Sequence, residues 1–270
     1  MKSSTQKSTG GTVLAIATPL AILGTLVVNT LSNTNPPGGA NVGEIANTVF
    51  KDLRILPANY AFIIWGLIYV GLIAYGIYQI RPARAGDEAI QQADALLIVA
   101  CIAQIAWIYL FTFQQFWAST LAMLVILGSL ILAYLQLGIG QERVERDRRW
   151  NAYLPLSIYL AWISVATIVN VASALFASNW TGGLSPDLWA LLLLGIGTAI
   201  ALVVFFQRRD VAFLLVFVWA YGAIAVRQAT FPLVQIGAIA CAAILAALVL
   251  WSWVRGDRRL GSSAVGKHEE

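Results

Sequence analysis

The chain has 270 residues, of which 59% are hydrophobic and only 11% are charged. Soluble domains carry about 25% charged residues, so this composition excludes an ordinary water-soluble protein and predicts an integral membrane protein. The net charge of +4 does not indicate nucleic-acid binding, because the basic residues lie in short segments between apolar runs and act as topology signals.

Eight apolar runs approach or exceed the length of about 20 residues that a membrane helix needs. In chain order they cover 12–31, 58–80, 93–112, 116–138, 152–177, 188–206, 211–227 and 232–254. The first run follows Lys2 and Lys7, as in a signal peptide, but no small-x-small cleavage motif comes after it. We therefore expect this run to be retained. The sequence predicts an all-α, polytopic membrane helix bundle with about eight transmembrane helices.

The distribution of positive charge predicts how this bundle is oriented. With the N-terminus inside, all but three of the 17 Lys and Arg residues fall on the inner side. The three outer ones are Lys51, Arg54 and Arg227. This asymmetry predicts an N-in, C-in arrangement with both termini cytoplasmic, in the plasma (inner) membrane.

Two connections between the predicted spans are informative. The segment 32–56 is long and contains Pro36-Pro37-Gly38-Gly39. Such a loop is either a lid or binding element, or a disordered connector, and the sequence leaves both open. The connection 113–115 is so short that the third and fourth helices must form an antiparallel neighbouring pair.

Ionisable residues are absent from the middle of every predicted span. Asp94 and Arg227 fall at span ends, and the single histidine, His268, lies in the C-terminal tail. This pattern argues against an ion-coupled transporter and offers no catalytic constellation. Cys101 and Cys241 lie in apolar runs without metal-ligand spacing, so we expect no metal site, no disulfide and no required cofactor.

Aromatic and amide side chains are what remains inside the spans. Helical spacing places them on three faces: Phe62, Trp65 and Tyr69; Gln104, Trp107 and Phe111; and Tyr159, Trp162, Ala166 and Asn170. One interpretation is helix packing, in which Gln104 and Asn170 join neighbouring helices. The other is an aromatic cleft whose amides orient a flat apolar ligand.

Three of these helices resemble one known family. The stretch from Tyr159 to Asn170 resembles the Tyr-x-x-Trp-x-x-Phe-Ala-x-x-Leu-Asn signature of the TspO/translocator-protein family, the tryptophan-rich sensory proteins, with Val165 and Val169 replacing Phe and Leu. The earlier helices match more loosely. Pro57, Phe62, Trp65 and Tyr69 resemble the family's Pro…Phe-x-x-x-Trp-x-x-x-Tyr pattern, except that Phe62 is one residue closer to Trp65. Gln104-x-x-Trp107 resembles Asn-x-x-Trp, with Gln in place of Asn.

The resemblance implies a domain organisation. It covers residues 12–177, so 1–177 is expected to be the family's five-helix membrane unit. Residues 178–254 are expected to form three additional transmembrane helices, which could cover the surface that short members use to dimerise. The polar stretch 255–270 is expected to be a disordered cytoplasmic tail, whose Arg255, Arg258 and Arg259 meet anionic lipid.

The resemblance also implies a ligand site, since family members bind porphyrins, and some bind sterols, between the first loop and the upper helix halves. Together with the three helix faces described above, the resemblance implies these candidate ligand-binding residues: Phe62, Trp65, Tyr69, Gln104, Trp107, Tyr159, Trp162, Ala166 and Asn170. The first loop lacks the tryptophan common in short members. That absence weakens the case for transferring their proposed light-dependent porphyrin breakdown.

Four hypotheses about function follow from these expectations. The first is binding or sensing of a flat hydrophobic molecule, a tetrapyrrole such as a porphyrin before a sterol or lipid. The second is a facilitator that transports tetrapyrrole or lipid. An enzyme that degrades porphyrin in light stays open, because such chemistry needs no classical catalytic residues. The fourth is an assembly subunit of a membrane complex. Expected partners are a hydrophobic small molecule, membrane lipid and a second copy in a homo-oligomer, with no nucleic acid.

Overall fold

The computed structural model describes residues 9–84, 86–142 and 144–265, with side chains for 11–84, 86–142 and 144–254. Every regular element in these residues is helical. The α-helices are α1 (Thr9–Thr34), α2 (Val42–Thr48), α3 (Ile64–Gln79), α4 (Glu88–Thr112), α5 (Phe116–Gln136), α6 (Arg146–Arg148), α7 (Leu154–Ala177), α8 (Pro186–Arg208), α9 (Val211–Arg227) and α10 (Pro232–Val265). A 3₁₀ turn, Asn59–Ile63, precedes α3, and a π turn, Arg149–Tyr153, joins α6 to α7.

Seven helices of the described chain are long and apolar enough to cross a membrane. They correspond to seven of the eight predicted runs. The remaining run, 211–227, is α9, which is also helical but has 17 residues, whereas the seven candidate spans have at least 21. α3 reaches that length together with the 3₁₀ turn before it, as Asn59–Gln79. The all-α prediction is therefore confirmed for the described residues, which contain seven candidate membrane-spanning helices where about eight were predicted.

Polar residues and prolines fix several of the helix starts. Asp87, Ser185 and Asp210 each accept a hydrogen bond from a backbone N–H in the first turn of the following helix. Pro186 opens α8 and Pro232 opens α10, where the missing proline N–H needs no partner. The Asp87 cap begins α4 at Glu88, five residues before the start of the predicted run at 93. Asp94 consequently lies about 9 Å along the helix from its first residue and not at its end.

α7 is the central helix of the bundle. It packs against α3 and α5 on one side and against α8 and α9 on the other. The short turn at 113–115 makes α4 and α5 an antiparallel pair, as predicted, and α1 packs on α3 and α4. α10 packs on α8 and α9. One hydrophobic core runs from Ile22 to Val249, so packing is continuous across the expected boundary at 177.

The first long connection contains an ordered helix. Asn41 and Glu44 form a capping box at the start of α2: the Asn41 side chain accepts from Glu44 N, and the Glu44 carboxylate accepts from Asn41 N. Ile45, Ala46 and the following Phe50 are buried. The alternative of a disordered connector is therefore wrong, because the apolar side of α2 is packed against the bundle.

A glycine lets this connection approach α4 closely. A Cβ atom at Gly38 would lie 1.9 Å from the carbonyl oxygen of Thr112, the last residue of α4. Only a residue without a side chain fits there. The Pro-Pro-Gly-Gly stretch is therefore a fixed contact with the end of α4.

The C-terminal boundary differs from the sequence-based expectation. The structure continues α10 as a helix to Val265, although residues from 255 onward were predicted to be disordered. Extending an existing helix needs no new nucleation, so a polar stretch can follow an apolar span in the same helix. The side chains of Arg255, Arg258 and Arg259 lie outside the described residues, as do Lys2, Lys7, Arg143 and 266–270.

Candidate ligand-binding site

A narrow cleft lies under α2, between α3, α4 and α7. Its volume is about 60 Å³. Six of the nine candidate residues line it: Phe62, Trp65, Trp107, Trp162, Ala166 and Asn170. The other three candidates, Tyr69, Gln104 and Tyr159, are buried but do not line it. The structure thus brings the tryptophans of three helices to one cleft.

Tyr69, Gln104 and Tyr159 form a hydrogen-bonded group that supports Trp65. Gln104 Nε2 donates to the Tyr69 hydroxyl at 3.1 Å, and the Tyr159 hydroxyl donates to Gln104 Oε1. The Trp65 ring stacks on Tyr69 with centroids 5.7 Å apart and meets the edge of Tyr159 at 6.1 Å. This group fixes one wall of the cleft from behind.

Asn170 holds another wall through its amide. Its Oδ1 accepts from Trp107 Nε1 at 2.8 Å, while its Nδ2 donates to Thr120 Oγ1 at 2.7 Å and Ser119 Oγ at 3.2 Å. These contacts join α4, α5 and α7. Gln104 and Asn170 therefore both have protein partners for their amide oxygen and nitrogen, and both position aromatic rings.

The roof of the cleft comes from the first connection. Phe50 is fully buried and packs its ring against Phe116 at 4.8 Å, Phe176 at 6.0 Å and Phe111 at 6.2 Å. Val42, Ala46, Leu56 and Pro57 complete the roof. An apolar ligand in the cleft would lie directly beneath these side chains.

The roof is bound to α9. Arg227 donates from Nη1 to Asn47 Oδ1 at 2.8 Å and from Nη2 to the Ala46 carbonyl at 3.0 Å. The Ala58 N–H donates to the carbonyl of Ala223 at 3.0 Å. Trp219 of α9 lies outside the cleft and donates its indole N–H to Ala61 O at 3.1 Å.

A wider polar vestibule adjoins the cleft. It has a volume of about 440 Å³ and shares Val42, Phe62, Trp65 and Trp107 with the cleft. Its polar lining comes from α1, the first connection and α2: Asn29, Ser32, Asn33, Asn41, Glu44, Asn47 and Asn59. Ligand pockets usually measure about 300–1,000 Å³, so the vestibule alone reaches that range and the cleft alone does not.

Comparison with known families agrees with the motifs in α3, α4 and α7. The family model described as TSPO-like protein matches residues 15–251. The chain belongs to the TSPO-like protein family. Comparisons with curated proteins and with solved structures find no match for the chain.

Membership of the TSPO-like family changes the expected extent of the family unit and supports the expectations of membrane insertion and ligand binding. The match extends well beyond 177 and into α10, so the later helices belong to the region that the family model covers. A TSPO-like protein with seven long apolar helices is an integral, multi-pass membrane protein. The family also indicates membrane-embedded binding or sensing of a hydrophobic ligand in general terms.

Several residues of the TSPO-like cleft were missed by sequence reasoning. These are Val42, Ala46, Phe50, Leu56, Pro57, Met123, Val165, Val169 and Ser173. Phe111 also lines the cleft and shares the helix face predicted for Trp107. The roof carried a usable signal, since Asn41-x-x-Glu44 is a capping box and Val42, Ile45, Ala46, Val49 and Phe50 follow with helical spacing. The others lie on faces that can be assigned only once the helices are packed.

Proposed function

We propose that the protein binds a flat, largely apolar ligand of the tetrapyrrole class in the cleft and vestibule together. The observation that supports this proposal is their continuity: aromatic rings from α3 and α4 line both spaces. Ring faces bind flat apolar molecules well, and amides at the wide end suit peripheral polar groups. A sterol or another lipid is the alternative ligand within the same class of site.

The small volume of the cleft gives the roof a part in binding. At about 60 Å³ the cleft does not admit a whole macrocycle, so a tetrapyrrole would occupy the vestibule and insert further only when the roof opens and then closes over it. Asn170 acts in this scheme by holding the Trp107 indole in place, since its own amide is occupied. The vestibule asparagines supply the polar contacts to the ligand.

A titration of purified protein with protoporphyrin IX tests the proposal. We expect saturable binding, followed by tryptophan quenching and porphyrin absorbance, in the micromolar range or tighter. Trp162→Phe and Asn170→Ala should weaken binding by about tenfold, a change of about 1.4 kcal/mol. Trp253→Phe is the matched control, because Trp253 is exposed on α10 and lies far along the chain from the cleft residues.

The same experiment distinguishes binding from a packing role. Variants must elute as a single species with wild-type helix content before their affinities are compared. If wild-type protein shows no saturable binding, or if Trp162→Phe and Trp253→Phe behave alike, the proposal is wrong. The cleft aromatics would then be packing residues, and the assembly-subunit hypothesis would take its place.

We also propose that α9 crosses the membrane, so that eight crossings place both termini on the cytoplasmic side of the plasma membrane. At 17 residues α9 is about 25 Å long, close to the hydrocarbon thickness of about 30 Å. Its two ends meet opposite ends of the bundle. Asp210 at its start accepts from Tyr134 and Ser157, whereas Arg227 at its end binds the roof.

A further inference from the structure

A second polar cavity lies at the opposite end of the bundle from the vestibule. It has a volume of about 410 Å³ and lies between the first half of α1, the end of α3 and the start of α4. Ile16, Leu20 and Ile80 give it apolar walls. Its polar lining consists of Thr12, Gln79, Arg84, Gln91 and Asp94. None of the nine candidate residues of the cleft takes part in it.

Asp94 is a buried carboxylate without a cationic partner. Asp94 is 2% exposed, and its Oδ1 accepts a hydrogen bond from the Tyr75 hydroxyl at 2.8 Å. Within the described side chains, no arginine, lysine or histidine nitrogen lies within 4 Å of it. Three arginines at this end, including Arg84 in the cavity lining, are paired with other carboxylates: Arg81 with Asp147, Arg84 with Glu145 and Asp147, and Arg148 with Asp87.

Thr18 supports Asp94 from behind. It is fully buried, does not line the cavity, and its hydroxyl faces the Asp94 carboxylate. Among the described residues that line the cavity, Asp94 is the acidic one. The carboxylate is thus held in place by Tyr75 and Thr18 and presented at the cavity wall.

A proline in α1 explains the polar wall next to Asp94. Pro19 has no N–H to donate to the carbonyl of Ala15, one turn earlier, and therefore leaves that oxygen free. Gln79 Nε2 donates to the Ala15 oxygen at 3.0 Å and so ties the end of α3 to α1. The cavity is consequently a packed, hydrogen-bonded structure and not a gap between loosely placed helices.

We propose that this cavity binds an amphiphilic monocation, with its ammonium group at Asp94 and its hydrocarbon along α1. An ionisable side chain buried within a membrane helix is costly unless paired, and such residues commonly mark ligand or ion paths. An ammonium group offers three donors, which the carboxylate oxygens can accept. The volume suits a small organic molecule, and the aliphatic walls suit its apolar part.

Dansylcadaverine, a fluorescent primary amine, is a suitable probe for full-length protein in lipid nanodiscs. Its neutral match is the N-butyl amide of the same fluorophore. We expect saturable binding of the amine, seen as increased fluorescence polarisation, and binding of the neutral probe at least about tenfold weaker. Asp94→Asn keeps the side-chain shape and should weaken amine binding about tenfold without changing the neutral probe.

Two further variants make the test decisive. Glu142→Gln removes the same charge from an exposed residue of the 137–145 connection and should leave amine binding unchanged. Leu20→Trp should reduce amine binding by filling the cavity. Leu20 is 63% exposed, so the change does not burden the core and serves even if Asp94→Asn fails to fold.

Three outcomes would overturn the proposal. The first is equal affinity for the charged and neutral probes. The second is unchanged amine binding in folded Asp94→Asn or in Leu20→Trp. The third is signal in protein-containing nanodiscs no greater than in empty ones. A separate competition compares sodium chloride with choline chloride at the same ionic strength. Displacement of the amine by sodium but not by choline would assign the site to a metal cation and would likewise contradict the proposal.

Discussion

The amide of Asn170 joins three helices at the cleft. It accepts from the Trp107 indole and donates to Ser119 and Thr120, so α4, α5 and α7 all depend on one side chain. Asn170 is 3% exposed, and its partners would lose hydrogen bonds in a place that water reaches poorly. In a membrane interior such bonds are a main source of helix association.

Asn170→Ala should lower the free energy of unfolding by about 1–3 kcal/mol, because it leaves buried donors and acceptors unpaired. A double-mutant cycle with Trp107→Phe should give a coupling free energy of about 0.6–2 kcal/mol. The measurement is denaturant or thermal unfolding in one detergent.

The control for this cycle is Trp117→Phe. The Trp117 indole N–H also donates to a side chain, Ser178 Oγ at 2.9 Å, but on the exposed surface of α5 and away from Asn170. It should show no coupling with Asn170→Ala. Equal coupling for Trp107 and Trp117 would contradict the role that we assign to Asn170.

At the scale of elements, α2 and the end of α9 act as one unit across the end of the bundle that holds the cleft. Arg227 bonds to Asn47 and to the backbone of Ala46, and it lies at the last residue of α9. The roof of the cleft is thus held by one of the helices that lie beyond the first 177 residues. Displacing the roof requires breaking these bonds.

Arg227→Ala should increase amide hydrogen exchange across 42–50 and lower the local opening free energy by about 1–3 kcal/mol, since charge-assisted hydrogen bonds are lost. Exchange in α5 should stay unchanged. Lys51→Ala is the control, as it removes a positive charge from an exposed position of the same connection. If both variants loosen 42–50 equally, the bonds of Arg227 do not hold the roof.

The sequence predicts the elements unevenly. The seven long spans follow directly from runs of apolar residues, and the motifs in α3, α4 and α7 predict that their tryptophans lie near each other. α2 was harder to see because a seven-residue helix carries little periodic signal.

Asp94 shows why part of the chemistry escaped sequence reasoning. An apolar run defined by hydropathy begins at 93, so Asp94 was placed at the edge of the span. The Asp87 cap instead begins α4 at Glu88 and carries Asp94 one further turn inward. Whether a carboxylate near a span end is buried or wet depends on its neighbours, here α1 and α3, which no local pattern specifies.

At the scale of the whole molecule, the path of α9 fixes the topology. We expect cysteine substitutions at Gln141 and Thr181 to react with a membrane-impermeant maleimide from opposite sides of sealed vesicles, and a C-terminal tag to lie on the Gln141 side. Both residues are exposed in connections between helices. Cys101 and Cys241 are first replaced by alanine, and the resulting cysteine-free protein serves as the unlabelled background. Labelling of the tag from the Thr181 side would show that α9 does not cross.

At the same scale, the proposed tetrapyrrole site and the Asp94 cavity lie at opposite ends of one packed core. The aromatic cleft and vestibule lie under α2, and the Asp94 cavity lies at the start of α4. The core between them is continuous, with Tyr75, Tyr159 and Leu97 fully buried. Ligands of different charge could therefore be held independently, and binding at one end need not displace the other.

The most direct test of the central claim is hydrogen exchange of the full-length protein with and without protoporphyrin IX at saturating concentration. Binding under α2 predicts slower exchange in 42–58, around the cleft residues of α4 and α7, and no change in α10. Saturable porphyrin binding with unchanged exchange in 42–58, and with protection confined to α8 and α10, would place the ligand elsewhere and contradict the account.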